Sequence, residues 1–297
     1  ETEGRARILA GWQLKFVASI AFLWSLFQLW YASPLPFIFG FGVFIDVPAR
    51  AIHLGFGLFL AFLTFPLLKK NRNKKNNLFN FVLATIAFLV TFYLFHYYSE
   101  IVDRNGILLK HSISFFGKEY SLPTELIIGA IGILLLLEAT RRAIGIPLVI
   151  VASIFLIYSI FGQSMPEVIS HQGLSLKRLI GYHWFGGEAI FGIPISVSVS
   201  FVFLFVLFGS MLDYAGGGKY FLSLALALVG KFRGGPAKAS IMASGLTGMI
   251  SGSSIANVVT TGTFTIPIMK KTGFPAVKAG AIEVAASVNG QIMPPIM

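Results

Sequence analysis

The stretch ASIMASGLTGMISGSSIANVVTTGTFTIPIM, residues 239–269, runs between Lys238 and Lys270 without a charged side chain, yet it is crowded with Gly, Ser, Thr and Asn. A single-pass anchor would fill that length with Leu, Ile and Val. Here Ser251, Gly252, Ser253, Ser254, Asn257, Thr260, Thr261 and Gly262 interrupt the apolar pattern. Backbone polar groups freed at bilayer depth must be buried in protein or line a cavity, and discontinuous helices of this kind build ion and substrate sites. The pattern predicts a helical hairpin over about 237–270: a helix running down to Gly252, a Ser/Asn-rich tip, and a return arm from about Val258 to Lys270. The basic flanks, Lys238 and Lys270/Lys271, then lie on one side. A last helix from Pro275 leads into VNGQIMPPIM (residues 288–297), where Asn289, Gly290, Pro294 and Pro295 predict a break, giving a broken helix over about 275–297. Two polar breaks are thus expected to face each other.

Working outward, composition places the chain in a bilayer. Hydrophobic residues make up 56% and charged residues 12%, with 30 Phe, against roughly 25% charge in a soluble domain; mean hydropathy is +0.80. No Cys is present, which removes disulfides and thiolate metal sites. The net charge of +11 could point to nucleic acid, but the basic residues sit in short loops between apolar runs, where they report topology.

Apolar runs long enough to cross a bilayer of ~30 Å fall at about 11–31, 51–68, 78–98, 122–139, 146–162 and 194–212, so six spans are expected. The basic loop KKNRNKK (69–75) and the pair Arg141/Arg142 fall on one side if the third and fourth spans separate them. The positive-inside principle then puts the N-terminus in the cytoplasm, and the mixed-charge loops 99–121 and 163–193 outside. No signal-peptide pattern precedes the first run, which reads as a retained helix with Lys15 snorkelling. After Gly216, Gly217 and Gly218, the run Tyr220 to Gly230 is too short to span and reads as an interfacial or half-helix.

These residues carry a family resemblance. RGGPAKASIMASGLTGMISGSSIANVVTTGTFTIPIMKKTGF (233–274) and AGAIEVAASVNGQIMPP (279–295) resemble the large membrane subunit of tripartite ATP-independent periplasmic (TRAP) transporters. LEATRRAIGIPLVI (137–150) and the spans before it resemble the fused, TAXI-like branch. The resemblance implies an all-α polytopic, elevator-type secondary transporter of the cell inner membrane. It also implies a four-helix small-subunit-like region over 1–140 and the first part of the large permease over 141–297. The implied activity is sodium-coupled import of small organic anions, typically carboxylates, delivered by an extracytoplasmic substrate-binding protein. Only one of the two expected hairpin and broken-helix halves is visible, so the chain reads as an N-terminal fragment.

Chemistry supplies a separate argument for the same residues. Sodium is a hard cation suited by oxygen, and Ser, Thr and Asn side chains with unwound carbonyls supply it without a buried carboxylate. Ser253 and Asn257 are spaced i,i+4 and project together if the tip is helical; Ser251, Gly252, Ser254 and nearby carbonyls could complete a shell. The resemblance places the partner break at Val288, Asn289 and Gly290. Half-helix N-termini, with about +0.5 charge and free N–H donors, would hold a carboxylate nearby. Against this, small residues in membrane helices often mean close packing, and Ser or Thr bond back to their own helix. Thr260, Thr261 and Thr263 are the weaker candidates on that ground.

Glu283 is the sole acid after Asp213 and lies in an apolar helix. It is a candidate coupling group, or a partner for Lys278. Glu138 precedes Arg141 and Arg142 at ordinary ion-pair spacing. The His residues at 53, 96, 111, 171 and 183 show no metal spacing and read as interfacial or loop residues. Trp12, Trp30, Tyr31, Tyr97, Tyr98, Tyr182 and Trp184 fall near span ends, as an aromatic belt requires. A sodium/proton antiporter-like transporter of the same broad class is the alternative reading. An intramembrane enzyme lacks paired acids, a His cluster or a Gly-x-Ser-x-Gly elbow, and no nucleotide loop follows 216–218. No cofactor other than the coupling ion is implied.

Overall fold

Long, predominantly apolar runs leave the backbone no partner but itself at bilayer depth, and helices result. The computed structural model describes residues 6–7, 9–67, 78–104, 107–115, 118–252 and 254–293. It divides into two compact units, Glu1–Val199 and Ser200–Met297.

The first unit comprises α1 (Trp12–Ala32), α2 (Leu35–Phe39), α3 (Asp46–Thr64), α4 (Leu78–Asp103), β1 (His111–Phe115), β2 (Lys118–Leu122), α5 (Thr124–Ala143), α6 (Ile146–Ile160), α7 (Leu176–Ile180) and α8 (Ile193–Val197). α3 and α4 approach closely because position 55 is glycine: a Cβ there would stand 2.5 Å from Thr91 Oγ1. Small residues permit that distance where lipid supplies no hydrophobic drive between helices. Phe62, Leu63, Ala84, Ala87 and Leu94 fill the seam.

Several expectations need correction. β1 and β2 pair as a short antiparallel ribbon, His111 opposite Leu122, a local addition to a helical unit that the apolar pattern did not announce. Among the described residues four helices are long and apolar enough to cross a membrane: Trp12–Ala32, Asp46–Thr64, Leu78–Asp103 and Ile193–Leu212. Of the six expected, α6 has 15 residues, and α5 carries Glu125, Glu138, Arg141 and Arg142. The segment 163–193, expected as an external loop, instead buries Leu179, Ile180, Trp184, Phe185 and Phe191. Trp184 lies on a π turn (Gly181–Phe185) and is fully enclosed rather than in a belt. It packs where a Cβ on Gly132 would collide with its indole. His53 is likewise no interfacial residue: it is buried in α3, accepts from Trp24 Nε1 at 3.1 Å and lies 3.1 Å from Ser198 Oγ. Sequence position alone put these rings near span ends; packing drew them inward.

The second unit holds α9 (Phe203–Tyr214), α10 (Gly217–Val229), α11 (Gly235–Ser251), α12 (Ser254–Lys271), α13 (Ala276–Ser287) and a 3-10 turn, Val288–Gln291. Pro236 sits at the start of α11, where its missing N–H costs nothing. Gly252 closes it in the left-handed conformation, φ 59°, with its N–H on Gly248 O at 3.2 Å; only glycine adopts that conformation without strain. α12 begins three residues after α11 ends and lies beside it. Ile268 near the far end of α12 packs on the cluster of Leu222, Ala225, Ala239 and Ala243, small side chains that let α10, α11 and α12 meet.

Candidate functional site

Three polar stripes at helical spacing meet inside the second unit. Ser240, Ser244 and Thr247 lie on one face of α11; Asn257, Thr261 and Thr265 follow i, i+4, i+8 on α12; Glu283 and Ser287 follow i, i+4 on α13. All eight are buried. α13 approaches α12 because position 262 is glycine, where a Cβ would stand 3.2 Å from Glu283 Cγ.

Hydrogen bonds arrange the stripes in layers. In the first, Glu283, with no exposure, accepts from Thr261 Oγ1 and from Thr265 Oγ1 at 2.5 Å. Each threonine hydroxyl also lies within bonding distance of the carbonyl four residues back: Asn257 O at 2.7 Å and Thr261 O at 3.0 Å. No ion pair to Glu283 forms among the described residues, so it does not pair with Lys278 here.

In the second layer, Asn257 Nδ2 donates to Ser244 O at 2.9 Å and Ser244 Oγ at 2.8 Å, while Ser244 Oγ donates to Ala286 O at 2.9 Å. The Ser244 proton is thereby committed to α13, and its neighbours on α12 must donate. That orients the Asn257 amide with nitrogen toward Ser244 and leaves Oδ1 turned away. Among the described residues Asn257 Oδ1 is buried with no partner, and so are Thr247 Oγ1 and Ser287 Oγ. Three helices each contribute an orphaned oxygen. Buried polar atoms are ordinarily satisfied, and leaving one bare costs about 1–3 kcal/mol.

In the third layer the 3-10 turn after α13 meets α11. Gly290 is buried, and a Cβ on Gly248 would stand 2.8 Å from Gly290 Cα and 3.1 Å from Asn289 O. The descending arm of the hairpin and the helix break therefore touch backbone to backbone.

The structure distributes the sequence-selected residues unevenly. Ser251 ends α11, Gly252 is the left-handed link, and Ser253 lies outside the described residues. The expected Ser/Asn-rich tip is largely absorbed into helix: α12 begins at Ser254 rather than about Val258, so Ser254 and Asn257 belong to its first turn. Thr260 is half-buried, Thr263 exposed, and Thr261 committed to Glu283 and Asn257 O. Val288 is 49% exposed, Asn289 half-buried, and Gly290 buried against Gly248. Ser244, Thr247, Thr265 and Ser287 were not singled out in sequence. The repeat Ser240, Ser244, Thr247, Ser251 at i, i+4, i+7, i+11 was the signal that could have found the first two.

Among the described residues no group of three His, Cys, Asp or Glu could hold a metal. The orphaned atoms are neutral oxygens, a donor set for a hard monovalent cation rather than for zinc or iron.

Residues 131–297 match the family described as tripartite ATP-independent periplasmic transporter, DctM component. Among curated relatives, the uncharacterized protein YgiK of Salmonella typhimurium is 29% identical over 177 residues, 60% of this chain and 36% of its own length. The C4-dicarboxylate TRAP transporter large permease protein DctM of Rhodobacter capsulatus is 34% identical over 91 residues, 31% of this chain and 21% of its own. The 2,3-diketo-L-gulonate TRAP transporter large permease protein YiaN of Escherichia coli is 26% identical over 100 residues, 34% of this chain and 24% of its own. The chain thus spans about a fifth to a third of the length of these relatives. No solved structure matches it.

Proposed function

Because this chain belongs to the tripartite ATP-independent periplasmic transporter family, DctM component, we propose that it forms part of a sodium-coupled secondary permease. That permease imports a small organic anion across the inner membrane with an extracytoplasmic binding protein. Its N-terminus lies in the cytoplasm, residues 1–140 serve as the small-subunit-like region, and the fused arrangement is TAXI-like. Relatives named for C4-dicarboxylate and for 2,3-diketo-L-gulonate support an organic acid as cargo.

The observation that carries the reading is the set of orphaned oxygens, Thr247 Oγ1, Asn257 Oδ1 and Ser287 Oγ, beside a helix break. A sodium ion would satisfy them together. Carbonyls of the 3-10 turn are the further donors available, and the N-terminal turn of α12, with Ser254, faces a carboxylate favourably. Sodium held beneath that turn adds positive charge to the same end, so ion and anion favour each other's binding. Moving the hairpin and break as one body would carry both across the membrane, an elevator motion.

The test is sodium-selective stabilisation. Thermal unfolding of the purified chain in NaCl against choline chloride should show a sodium-specific rise, about 2.7 kcal/mol at a hundredfold excess over Kd. Equal stability in both salts returns the stripes to packing. Glu283 favours a second reading, sodium/proton exchange, since a buried carboxyl held by two threonines is a natural proton carrier. pH-dependent sodium flux without organic substrate would select it.

A further inference from the structure

In the first unit α6 ends at Ile160, and the chain that follows folds back onto it through two short 3-10 turns, Gly162–Ser164 and Glu167–Ile169. The carbonyls of a helix's last turn have no partner within the helix. Here the returning chain supplies partners. Phe161 N–H donates to Ile157 O at 3.0 Å, Leu174 N–H to Ser159 O at 2.8 Å, and His171 Nε2 to Tyr158 O at 3.1 Å. Tyr158 reaches back from α6: its hydroxyl donates to Ile169 O at 2.6 Å, and its ring meets the imidazole edge-on at 4.7 Å.

The partners of His171 fix its protonation. Gly173 N–H donates to Nδ1 at 3.0 Å. A backbone N–H only donates and a carbonyl only accepts, so Nδ1 is bare, Nε2 carries the proton, and the ring is neutral. Two glycines make the fit. A Cβ on Gly162 would stand 2.2 Å from the imidazole, which has no room to retreat on that side; Gly173 adopts φ 68°, and a Cβ there would stand 2.8 Å from Ile160 O. Charging the ring keeps the Nε2 bond, which the negative end of the α6 dipole favours. It also sets Nδ1–H against Gly173 N–H, donor against donor, at a spacing of 3.0 Å. Gly173 must then turn away and draw the adjoining Leu174 N–H from Ser159 O.

No neighbouring charge opposes this. Among the described residues no ion pair involves His171. Tyr158, the titratable side chain of α6, is committed to Ile169 O. Residues 161–174 add Glu167, and α7 adds Lys177 and Arg178, all three exposed. Glu125, in the first turn of α5, is taken by Tyr93, Arg104 and the Leu109 N–H.

We infer that residues 161–174 form an acid-released strap on the end of α6, latched by the neutral imidazole of His171 and opened at Gly173 and Leu174 when that ring takes up a proton. The positive-inside principle puts this end of α6 outside, where the surroundings set the acidity, and imidazole is the side chain suited to sense it. The strap uses no residue of the second unit and stands apart from the transport reading.

The experiment is hydrogen–deuterium exchange of the full chain in detergent, followed on peptides spanning 170–175 from pH of about 8 to about 5 and corrected for the intrinsic pH dependence of exchange. Protection of Gly173 and Leu174 should fall about tenfold toward acid, the worth of a lost hydrogen bond, while the interior of α6 keeps its protection. His171→Gln, which offers an acceptor and a donor but takes up no proton in this range, should hold the strap closed at every pH. A pH-independent strap in the unaltered chain would overturn the proposal, and so would an unchanged pH profile in His171→Gln. Should His171→Gln leave the strap open throughout, Glu167→Gln decides: a retained profile supports His171, and a lost one moves the switch to Glu167 and overturns the proposal.

Discussion

Gly248 and Gly290 meet so closely that a Cβ on the first would stand 2.8 Å from the Cα of the second. One belongs to the hairpin's descending arm, the other to the 3-10 turn after α13, so the contact sets how the two breaks lie against each other. Gly248→Ala should cost about 1–3 kcal/mol by overpacking, read as a lowered unfolding temperature, and it should also weaken sodium-dependent stabilisation. A variant as stable as the parent would show the two backbones are not held at this distance.

The orphaned oxygens make a prediction of unusual sign. Thr247→Ala and Ser287→Ala remove hydroxyls that have no partner among the described residues, so sodium-free stability should be unchanged or slightly higher. Sodium-dependent stabilisation should nevertheless fall, each variant needing about tenfold more sodium if one bond worth about 1.4 kcal/mol is lost. Asn257→Ala also breaks two bonds to Ser244, so it should lower stability in both salts. Unchanged sodium titrations in all three variants would remove the ion from this cluster.

Glu283→Gln tests the choice between permease and exchanger. The amide keeps the shape and one acceptor for the hydroxyls of Thr261 and Thr265, and folding should survive with a loss near 1 kcal/mol. In the complete transporter, sodium-driven uptake of the organic anion should persist. Its loss, together with loss of pH-dependent sodium flux, would make this carboxyl the proton carrier and replace the symport reading.

Gly132 and Trp184 offer a control in the other unit. Trp184 has no exposure and no room to retreat, and a Cβ on Gly132 would overlap its indole. Gly132→Ala should therefore destabilise by about 1–3 kcal/mol without altering the sodium titration. A change in sodium affinity here would show that the variants above report general loosening.

Helices were legible in the sequence because their causes are local: apolar length, Pro236 opening α11 and a left-handed Gly252 closing it. The hairpin arms came out at Gly235–Ser251 and Ser254–Lys271, against an expected 237–270. The polar richness of 239–269 already required buried partners or a cavity, whatever the fold. What only the tertiary structure decided is which polar atom has which partner. Asn257 reaches Ser244 across 13 residues, Thr261 reaches Glu283 across 22, and Ser244 reaches Ala286 across 42. Hydrogen-bond closure over such separations depends on how α11, α12 and α13 pack, which helical periodicity does not specify. The same packing turned Asn257 from a loop residue into a helix residue with a bare oxygen, and passed over Thr247 and Ser287 until their neighbours were in place. The sequence determined that this region is helical, polar and enclosed; the packing of three helices selected the atoms left over for a ligand.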